Sequence, residues 1–451
     1  MKKNTLILVC FCASLVAPQL QAQTDVAGAN PGDTEVTEAS MKMQTPPPIS
    51  GESYPTAGSG QERSNYLNGG LIFTTAYSDN TLTSANGNAV SDVSYSIWPT
   101  IAIDETTSRL HSVISYNPGF TFYQRTSNRN ESDQNLNLNF QYRLSPHVTV
   151  SFQDGFRKSS SVFNQPGLAS SVPVSGSGQA PIVTVVAPVA DMLSNTGNTG
   201  ITYQFAANEM IGASGTFTNL HYLDPSQVGG LGDSSSLGGS AFYSYRVSRR
   251  HYVGGTYRFQ RFLMFPSGSA QNETQTHTIS IFYTFYVKPT LSFSVSGGPQ
   301  YSDIEQPTFP TTRSWTPAFT ASFGWQRRHT NFAGNYTRIV SGGGGLLGTY
   351  HSNTVSTTFQ WQVARTWSIS GSGNYAIYKN ATPFSFATSQ GGHSISGTAS
   401  LHHTLTQHLS AEAGYTRLHQ SFDNISFVTV SPDTNREYIS LSYQFTRPLG
   451  R

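Results

Sequence analysis

Apolar and polar residues alternate with a period of two along most of the chain, from about residue 66 to the C terminus. One such run places Leu136, Leu138, Phe140 and Tyr142 on one side and Asn, Gln and Arg residues on the other. Successive side chains of a β-strand point to opposite faces, so the pattern predicts strands with one apolar and one polar face. No stretch shows a comparable helical period, and the chain is predicted to be all-β.

The alternating runs number about eighteen, and many of them are longer than the strands of most soluble proteins, which have about 5–6 residues. They cover residues 66–78, 90–104, 109–125, 133–144, 147–158, 198–207, 210–222, 237–248, 251–264, 274–287, 290–302, 314–327, 330–341, 353–365, 366–379, 392–406, 408–422 and 436–446.

The connections between the runs alternate between tight turns, such as 144–147 and 247–250, and longer polar loops, such as 223–236. Bacterial outer-membrane barrels have this arrangement, with short periplasmic turns and longer external loops. We therefore predict a transmembrane antiparallel up-and-down β-barrel of about 18 strands, with 16 as the alternative count. An even number of strands places both termini in the periplasm. A soluble β-sandwich or propeller also alternates, but the long runs and the aromatic residues near their ends disfavour it.

The first 64 residues differ from the rest and divide into two predicted segments. Lys2 and Lys3, an apolar stretch at 6–16 and a small residue near position 22 are typical of a secretory signal peptide, which we assign to 1–22. Residues 23–64 are rich in Pro and acidic residues and poor in aromatics, which predicts a disordered periplasmic leader. The barrel is then assigned to 65–451. Both cysteines lie in the signal peptide, so the mature chain is expected to hold no disulfide and no thiol.

Composition supports a membrane barrel over a soluble domain. Charged residues make up 11% of the chain and aromatic residues 12%, whereas a soluble domain has about 25% charged residues. A barrel needs less surface charge because its outer belt faces lipid. The net charge of +2 gives no reason to expect a nucleic-acid partner.

The last predicted strand carries the most specific local signal. It ends in an aromatic residue and has four apolar side chains on one face, namely Ile439, Leu441, Tyr443 and Phe445. It resembles the C-terminal recognition strand of outer-membrane proteins, although here six further residues follow Phe445. The resemblance implies insertion by the barrel-assembly machinery into the outer membrane of a Gram-negative bacterium, with outer-membrane lipid and lipopolysaccharide as its surroundings.

The layout from about residue 66 to 446 is similar to porin-type barrels, which include eighteen-stranded sugar porins and polysaccharide-export barrels. In general porins the third external loop folds inward and narrows the channel. The third external loop here is predicted at 159–198, is rich in Val and Pro and carries almost no charge. Its candidate constriction residues are Phe163, Leu168, Val183, Val185 and Asp191. An external flap or an extended hairpin is the equal alternative.

The period-two pattern also assigns charged residues to the lumen. These candidates are Arg143, Arg157, Arg246, Arg258, Glu412 and His402. Four arginines against one glutamate would favour anions in a narrow passage. Alternatively, the arginines pair with carbonyls or loop acids and only brace the wall. Four aromatic residues, namely Phe242, Tyr252, Phe282 and Tyr286, are assigned to the same inner face, where such rings could guide sugars.

We find no catalytic constellation of nucleophile, base and orienting group, and we predict no enzymatic activity, no cofactor and no metal. His402 and His403 point to opposite faces of a strand, so a structural role is favoured over metal binding. The leading functional prediction is a channel for passive diffusion of small hydrophilic solutes. A conduit or scaffold for envelope or exopolysaccharide export is the first alternative, and a surface adhesin or barrel enzyme is the lesser one. Self-association into a homo-oligomer stays open.

Overall fold

A computed structural model of the protein describes residues 64–81, 89–160, 191–224, 232–265, 271–288, 290–306, 309–327, 329–343, 346–381, 391–422 and 433–449. The predicted signal peptide and nearly all of the predicted leader lie outside the described residues. The strands, numbered along the chain, are β1 Ser64–Ser78, β2 Asp92–Thr106, β3 Leu110–Tyr123, β4 Glu131–Arg143, β5 Val148–Ser159, β6 Met192–Ala206, β7 Glu209–Tyr222, β8 Asp233–Arg246, β9 His251–Phe265, β10 Asn272–Lys288, β11 Leu291–Gln306, β12 Phe309–Arg327, β13 Thr330–Gly343, β14 Leu346–Gln362, β15 Trp367–Asn380, β16 Gly391–Thr404, β17 Leu409–Phe422 and β18 Asp433–Pro448.

The strands form one closed sheet. Each strand pairs antiparallel with the next along the chain, and β1 also pairs with β18, from Tyr66 opposite Pro448 to Ser78 opposite Arg436. The sheet is therefore an up-and-down barrel of eighteen strands, and the predicted fold class and strand count are confirmed. Within the described residues, no helix is long and apolar enough to cross a membrane.

Outward-pointing side chains form an apolar belt around the barrel. Ile101, Ile281, Phe293 and Leu441 are all substantially exposed, and the exposed fraction of Ile281 reaches 69%. Their sequence neighbours on the inner face are mainly Ser, Thr, Asn and Gln. A contiguous apolar exterior of this extent is unfavourable in water and matches hydrocarbon, where a closed barrel leaves no unpaired edge. The protein is a transmembrane β-barrel.

The alternation of faces gives a direct mutational expectation. Ile281 lies near the middle of β10 and points outward, and its neighbour Ser280 points into the lumen. Ile281→Arg should destabilise the barrel by roughly 2–4 kcal/mol, because the charge would face hydrocarbon. Ser280→Arg should assemble nearly normally. Heat-modifiable electrophoretic migration of the two variants measures assembly, and equal yields would contradict the assigned faces.

Several strands extend farther at the ends next to the long loops than the sequence pattern predicted. β6 begins at Met192 rather than near 198, β12 at Phe309 rather than 314, and β14 at Leu346 rather than 353. The third external loop therefore runs from 160 to 191 and not from 159 to 198. After Met192 and Leu193, the first half of β6 carries only Ser, Asn, Thr and Gly, so no apolar period marks it. Ladder hydrogen bonds to β5 and β7 hold it as a strand.

Inward-facing aromatic rings lie over glycines of neighbouring strands. A Cβ at Gly119 would stand 2.4 Å from the Trp98 ring, and a Cβ at Gly254 would stand 2.4 Å from the Phe282 ring. The same arrangement pairs Phe242 with Gly212, Phe422 with Gly392 and Tyr438 with Gly414. Because glycine has no side chain, the bulky rings can lie flat against the wall rather than cross the lumen.

Candidate functional site: the barrel lumen

The inner wall is lined with hydroxyl groups that bond to one another across strands. Thr284 Oγ1 and Ser294 Oγ are 2.8 Å apart on β10 and β11, and Ser370 Oγ and Ser400 Oγ are 2.7 Å apart on β15 and β16. Such pairs satisfy each hydroxyl locally and stabilise the sheet from inside. The wall offers a polar, largely uncharged surface to whatever enters the lumen.

At the end nearest its loop, the β13–β14 hairpin separates from β12. β12 and β13 pair only from Arg327 opposite Thr330 up to Phe319 opposite Arg338. β13 and β14 continue to pair beyond that point, as far as Gly343 opposite Leu346. The hairpin end therefore projects away from β12 as a two-stranded tongue. We call residues 339–352 the inner hairpin.

The inner hairpin is docked on the inside of β9, β10 and β11. The Gln300 carboxamide of β11 accepts a hydrogen bond from the Val340 backbone N–H at 2.8 Å and donates one to the Val340 carbonyl at 3.3 Å. Gln300 thus takes the place of the β12 peptide group that Val340 would otherwise pair with. Val340 is 1% exposed and Gln300 is 2% exposed, so both hydrogen bonds are shielded from water.

Further contacts fix the tip of the inner hairpin. Thr349 Oγ1 lies 2.5 Å from Thr274 Oγ1 on β10. Gly348 has a φ of +137° and donates its N–H to the Met264 sulfur of β9 at 3.2 Å. A Cβ at Gly342 would approach the Phe262 ring to 3.2 Å. Glycine at 342 therefore permits the close approach to Phe262, and glycine at 348 permits the positive φ.

A recess lies directly beneath the inner hairpin, on the side nearer the tight turns. The inner faces of β9 to β12 form its wall, Ile339 of the inner hairpin contributes to its roof, and the recess is partly open to the lumen. Its polar lining consists of Thr256, Arg258, Gln260, Thr278, Ser280, Ser296, Gln300 and Thr320. Arg258 is the only charged residue among those that line it.

The structure separates the predicted lumen arginines into different settings. Arg258 lies in the recess. Arg246 ends β8 at the rim that carries the tight turns, where its Nε donates to Asn208 Oδ1 at 2.9 Å. Arg143 ends β4 at the same rim. Arg157 lies on the inner face of β5 within electrostatic range of Asp133. Four arginines divided among the recess, one rim and the inner face of β5 do not form a charged ring.

Glu412 and His402 are brought together by the strand register. They are directly opposite each other on β17 and β16. The Tyr438 hydroxyl donates to Glu412 Oε1 at 2.8 Å. Farther along the same side of the lumen, the Tyr123 hydroxyl donates to Glu131 Oε2 at 3.1 Å. The inward-facing carboxylates of the described strands thus gather on β2, β4 and β17.

The four predicted lumen aromatics lie on adjacent strands; Tyr252, Tyr286 and Phe242 pack together, and Phe282 lies over Gly254. Tyr252 and Tyr286 meet edge to face with ring centroids 5.7 Å apart, and Met210 and Phe242 pack against them. Tyr252, Phe282 and Tyr286 are between 0% and 4% exposed. These rings present no open face on which a passing sugar could stack.

The third external loop cannot be compared with its prediction, because Phe163, Leu168, Val183 and Val185 lie outside the described residues. Of the candidate constriction residues, only Asp191 is described, and its carboxylate lies 3.4 Å from the Lys158 ammonium at the mouth of the barrel. The inner hairpin, which sequence reasoning did not identify, is the described segment that enters the lumen. The sequence signal for it is the group of apolar residues Leu346, Leu347 and Tyr350 between the predicted strands 330–341 and 353–365, where a polar loop was expected.

The histidines occupy separate positions. His403 points outward and stacks on Trp367 with ring centroids 4.0 Å apart. The His408 ring lies beside the Tyr443 ring near a tight turn. Near the external end of β7, His221 Nδ1 lies 2.5 Å from Asp233 Oδ2. Within the described part of the chain, no three His, Cys, Asp or Glu side chains are close enough together to hold a metal ion.

The assembly-signal residues Ile439, Leu441, Tyr443 and Phe445 all point outward from β18 and are exposed. The Phe445 ring covers Gly69 of β1, whose Cβ would lie 2.3 Å from it. β18 continues beyond Phe445 to Pro448 and stays paired with β1. The described part of the C-terminal extension is therefore incorporated in the wall.

No protein-family model matches the sequence, and no curated protein is similar to it. Solved structures with a similar fold include Acinetobacter baumannii OccAB4, with 8% identity, a TM-score of 0.43 and coverage of 86% of this chain and 99% of that one. Pseudomonas aeruginosa OpdK with vanillate has 10% identity, a TM-score of 0.40 and coverage of 84% and 99%. The FrpB iron transporter of Neisseria meningitidis (F5-1 variant) has 9% identity, a TM-score of 0.42 and coverage of 86% and 83%. Likenesses this distant carry no argument about the function of the chain.

Proposed function

We propose that this protein is an outer-membrane channel for passive diffusion of small hydrophilic solutes, with the inner hairpin as a constriction. The observation that carries the proposal is a closed eighteen-strand barrel with an apolar exterior and a hydroxyl- and amide-lined interior. A barrel of this size encloses an aqueous passage unless segments fill it. A neutral polar wall lets hydrated solutes exchange water for wall contacts without a large electrostatic barrier.

The inner hairpin supports a narrowed rather than an open passage. It is held against one side of the wall by the hydrogen bonds of Gln300 to Val340 and the contact of Thr274 with Thr349. It reduces the cross-section of the external half of the lumen without occupying the opposite side, where Glu131 and Tyr123 lie. The third external loop, predicted at 159–198, remains a second candidate constriction.

In this proposal the periplasmic side carries the tight turns, both termini and the leader, and the long loops face outward. Lipid and lipopolysaccharide surround the apolar belt, and the barrel-assembly machinery recognises the outward residues of β18. Catalysis is not part of the proposed function.

Conductance of the purified protein in planar lipid bilayers tests the proposal. We expect discrete current steps that scale with salt concentration, because the polar lumen admits hydrated ions. Proteoliposomes should also swell in isosmotic solutions of small neutral sugars and swell more slowly as the sugar becomes larger. A wild-type protein that neither conducts nor swells, and that conducts only after removal of a loop, would contradict passive diffusion and favour a gated export conduit.

Polysaccharide export stays an alternative without a specific observation in its favour. Aromatic rows along the lumen would have supported it, since sugars stack on exposed rings. The inner rings of Tyr252, Phe282 and Tyr286 are instead buried. No described feature favours an adhesin or a barrel enzyme.

A further inference from the structure

The recess beneath the inner hairpin has a lining suited to anions. Arg258 of β9, Thr278 of β10 and Gln300 of β11 are cross-strand neighbours and form one row across three strands. On the periplasmic side of this row, Ser280 lies opposite Thr256, and Ser296 lies opposite Thr320. The recess thus combines a guanidinium with hydroxyl and amide groups that can donate hydrogen bonds.

The inward-facing charged residues of the wall around the recess all have the same sign. On the eight consecutive strands β7 to β14, the inward positions within the described residues carry no Asp or Glu, but they carry Arg246, Arg258 and Lys288. The acidic residues of β10 and β11 point outward, where Glu273 pairs with Arg261 at 2.7 Å and Asp303 pairs with Arg313 at 3.3 Å. The inward acids Glu131, Asp133 and Glu412 belong to strands outside this group of eight.

The inward-facing formal charges on these eight strands, within the described residues, are therefore all positive, and one of them, Arg258, lines the recess. An arginine among hydroxyl donors, in a site partly shielded from bulk water, binds an oxyanion through charge-assisted hydrogen bonds that two oxygens of the anion can share. A neutral sugar would use the hydroxyls but gain nothing from Arg258. A cation would be repelled.

We propose that this recess is a subsite for small oxyanions, the carboxylate or phosphate group of a solute in transit. The inference rests on the proposed channel function, because the recess opens to the lumen. The inner hairpin holds the solute from above, and the open side faces the path of diffusion. The subsite slows anionic solutes at the narrow part of the lumen and raises their local concentration there.

The test uses inorganic phosphate and acetate as probes, each added to the purified wild-type protein in planar bilayers in a chloride background. We expect at least one of them to reduce the single-channel current in a saturable way, and glucose at the same concentration to leave it unchanged. Whichever of the two acts at lower concentration identifies the favoured source of the oxyanion. The absence of any saturable effect in a conducting channel would overturn the proposal.

Arg258→Gln should raise the half-saturating concentration about tenfold or more, which corresponds to the loss of one charge-assisted contact. Arg246→Gln is the matched control, because Arg246 lies at the periplasmic rim beside Asn208 and outside the recess. It should change the value by less than about twofold. Equal effects of the two variants would overturn the site and point to a general influence of positive charge in the lumen.

Thr278→Val is a second variant, in case Arg258→Gln fails to assemble. It keeps the Arg258 charge and the strand pairing but removes the Thr278 hydroxyl as a hydrogen-bond donor. We expect a smaller increase in the half-saturating concentration than Arg258→Gln produces. An unchanged value would exclude this row from the site. Calorimetric titration of the detergent-solubilised wild-type protein with phosphate tests anion binding independently of conduction. Anion binding without conductance would retain the subsite and remove the channel, and conductance without binding would do the reverse.

Discussion

Replacing the inner hairpin, residues 339–352, with Asn-Gly should raise the single-channel conductance severalfold while the barrel stays assembled. Arg338 and Asn353 are cross-strand partners, so a two-residue turn of this type can join them without changing the register of β13 and β14. Pairing of β12 with β13 ends at Arg338 and is retained in full. The deletion removes the segment that projects into the lumen together with the pairing of Tyr350, His351 and Ser352 with β15, whereas β14 and β15 stay paired from Asn353 onward. Conductance in planar bilayers, with heat-modifiable migration as the check on assembly, measures the effect.

A milder change addresses how the inner hairpin is held. Gln300→Leu removes both hydrogen bonds to Val340 and leaves a buried N–H and a buried C=O without their partner, at a cost of about 1–3 kcal/mol each. The docked position should therefore lose population, and the current should become larger or noisier. Gln360→Leu is the matched control, because it is the same substitution on the inner face of β14, well below the inner hairpin. If the conductance of the variant in which Asn-Gly replaces residues 339–352 is unchanged, the inner hairpin is not a constriction.

The docked position itself can be verified with cysteines. The Oγ1 atoms of Thr274 and Thr349 are 2.5 Å apart, which is close to the geometry that a disulfide requires. Since the sequence has no cysteine after residue 12, a Thr274→Cys, Thr349→Cys double variant provides a clean background. It should cross-link under mild oxidation without an added bridging reagent. Two cysteines that stay reduced would place the inner hairpin elsewhere.

The barrel was predictable because period-two alternation reports directly on which side of a strand meets lipid. Ile281, Phe293 and Leu441 show this, since each is apolar beside a Ser on the inner face. The same pattern does not show where a strand begins or ends if neither of its faces meets lipid. Residues 194–200 of β6 are Ser, Asn, Thr and Gly on both sides, and the extent of the strand follows from ladder hydrogen bonds to its neighbours, which a single strand's sequence does not encode.

The inner hairpin was missed for a related physical reason. Val340 has outward parity yet is buried, because the strand has left the wall at that point. Its docking depends on Gln300, forty residues earlier in the chain and two strands away. Sequence placed Arg258 and Glu412 on the inner face, but their settings depend on contacts across strands. Arg258 gains its recess from the inner hairpin, and Glu412 meets His402 only through the register of β16 and β17.

Gly254→Val should prevent normal assembly, whereas Gly255→Val should be tolerated. A Cβ at Gly254 would stand 2.1 Å from the Tyr243 carbonyl oxygen and 2.4 Å from the Phe282 ring, so both the wall and the ring would have to move. Gly255 points outward, and its Cβ would meet only the Ser280 carbonyl oxygen at 3.8 Å. Overpacking of this severity costs typically about 1–3 kcal/mol and occasionally more, and here a backbone atom is involved.

The two variants differ by one position and by nothing in chemistry, so β-propensity and added apolar area are matched between them. We expect the Gly254→Val protein to show a lower yield of the heat-modifiable form and a lower unfolding midpoint in denaturant. Phe282→Ala combined with Gly254→Val should recover part of the loss, because it removes the ring but leaves the contact with the Tyr243 carbonyl. Full recovery would assign the whole cost to the ring, and no recovery would assign it to the backbone contact. Equal behaviour of Gly254→Val and Gly255→Val would mean that Phe282 does not lie over Gly254, and the Phe282 ring would then extend into the lumen, where it could meet a passing solute.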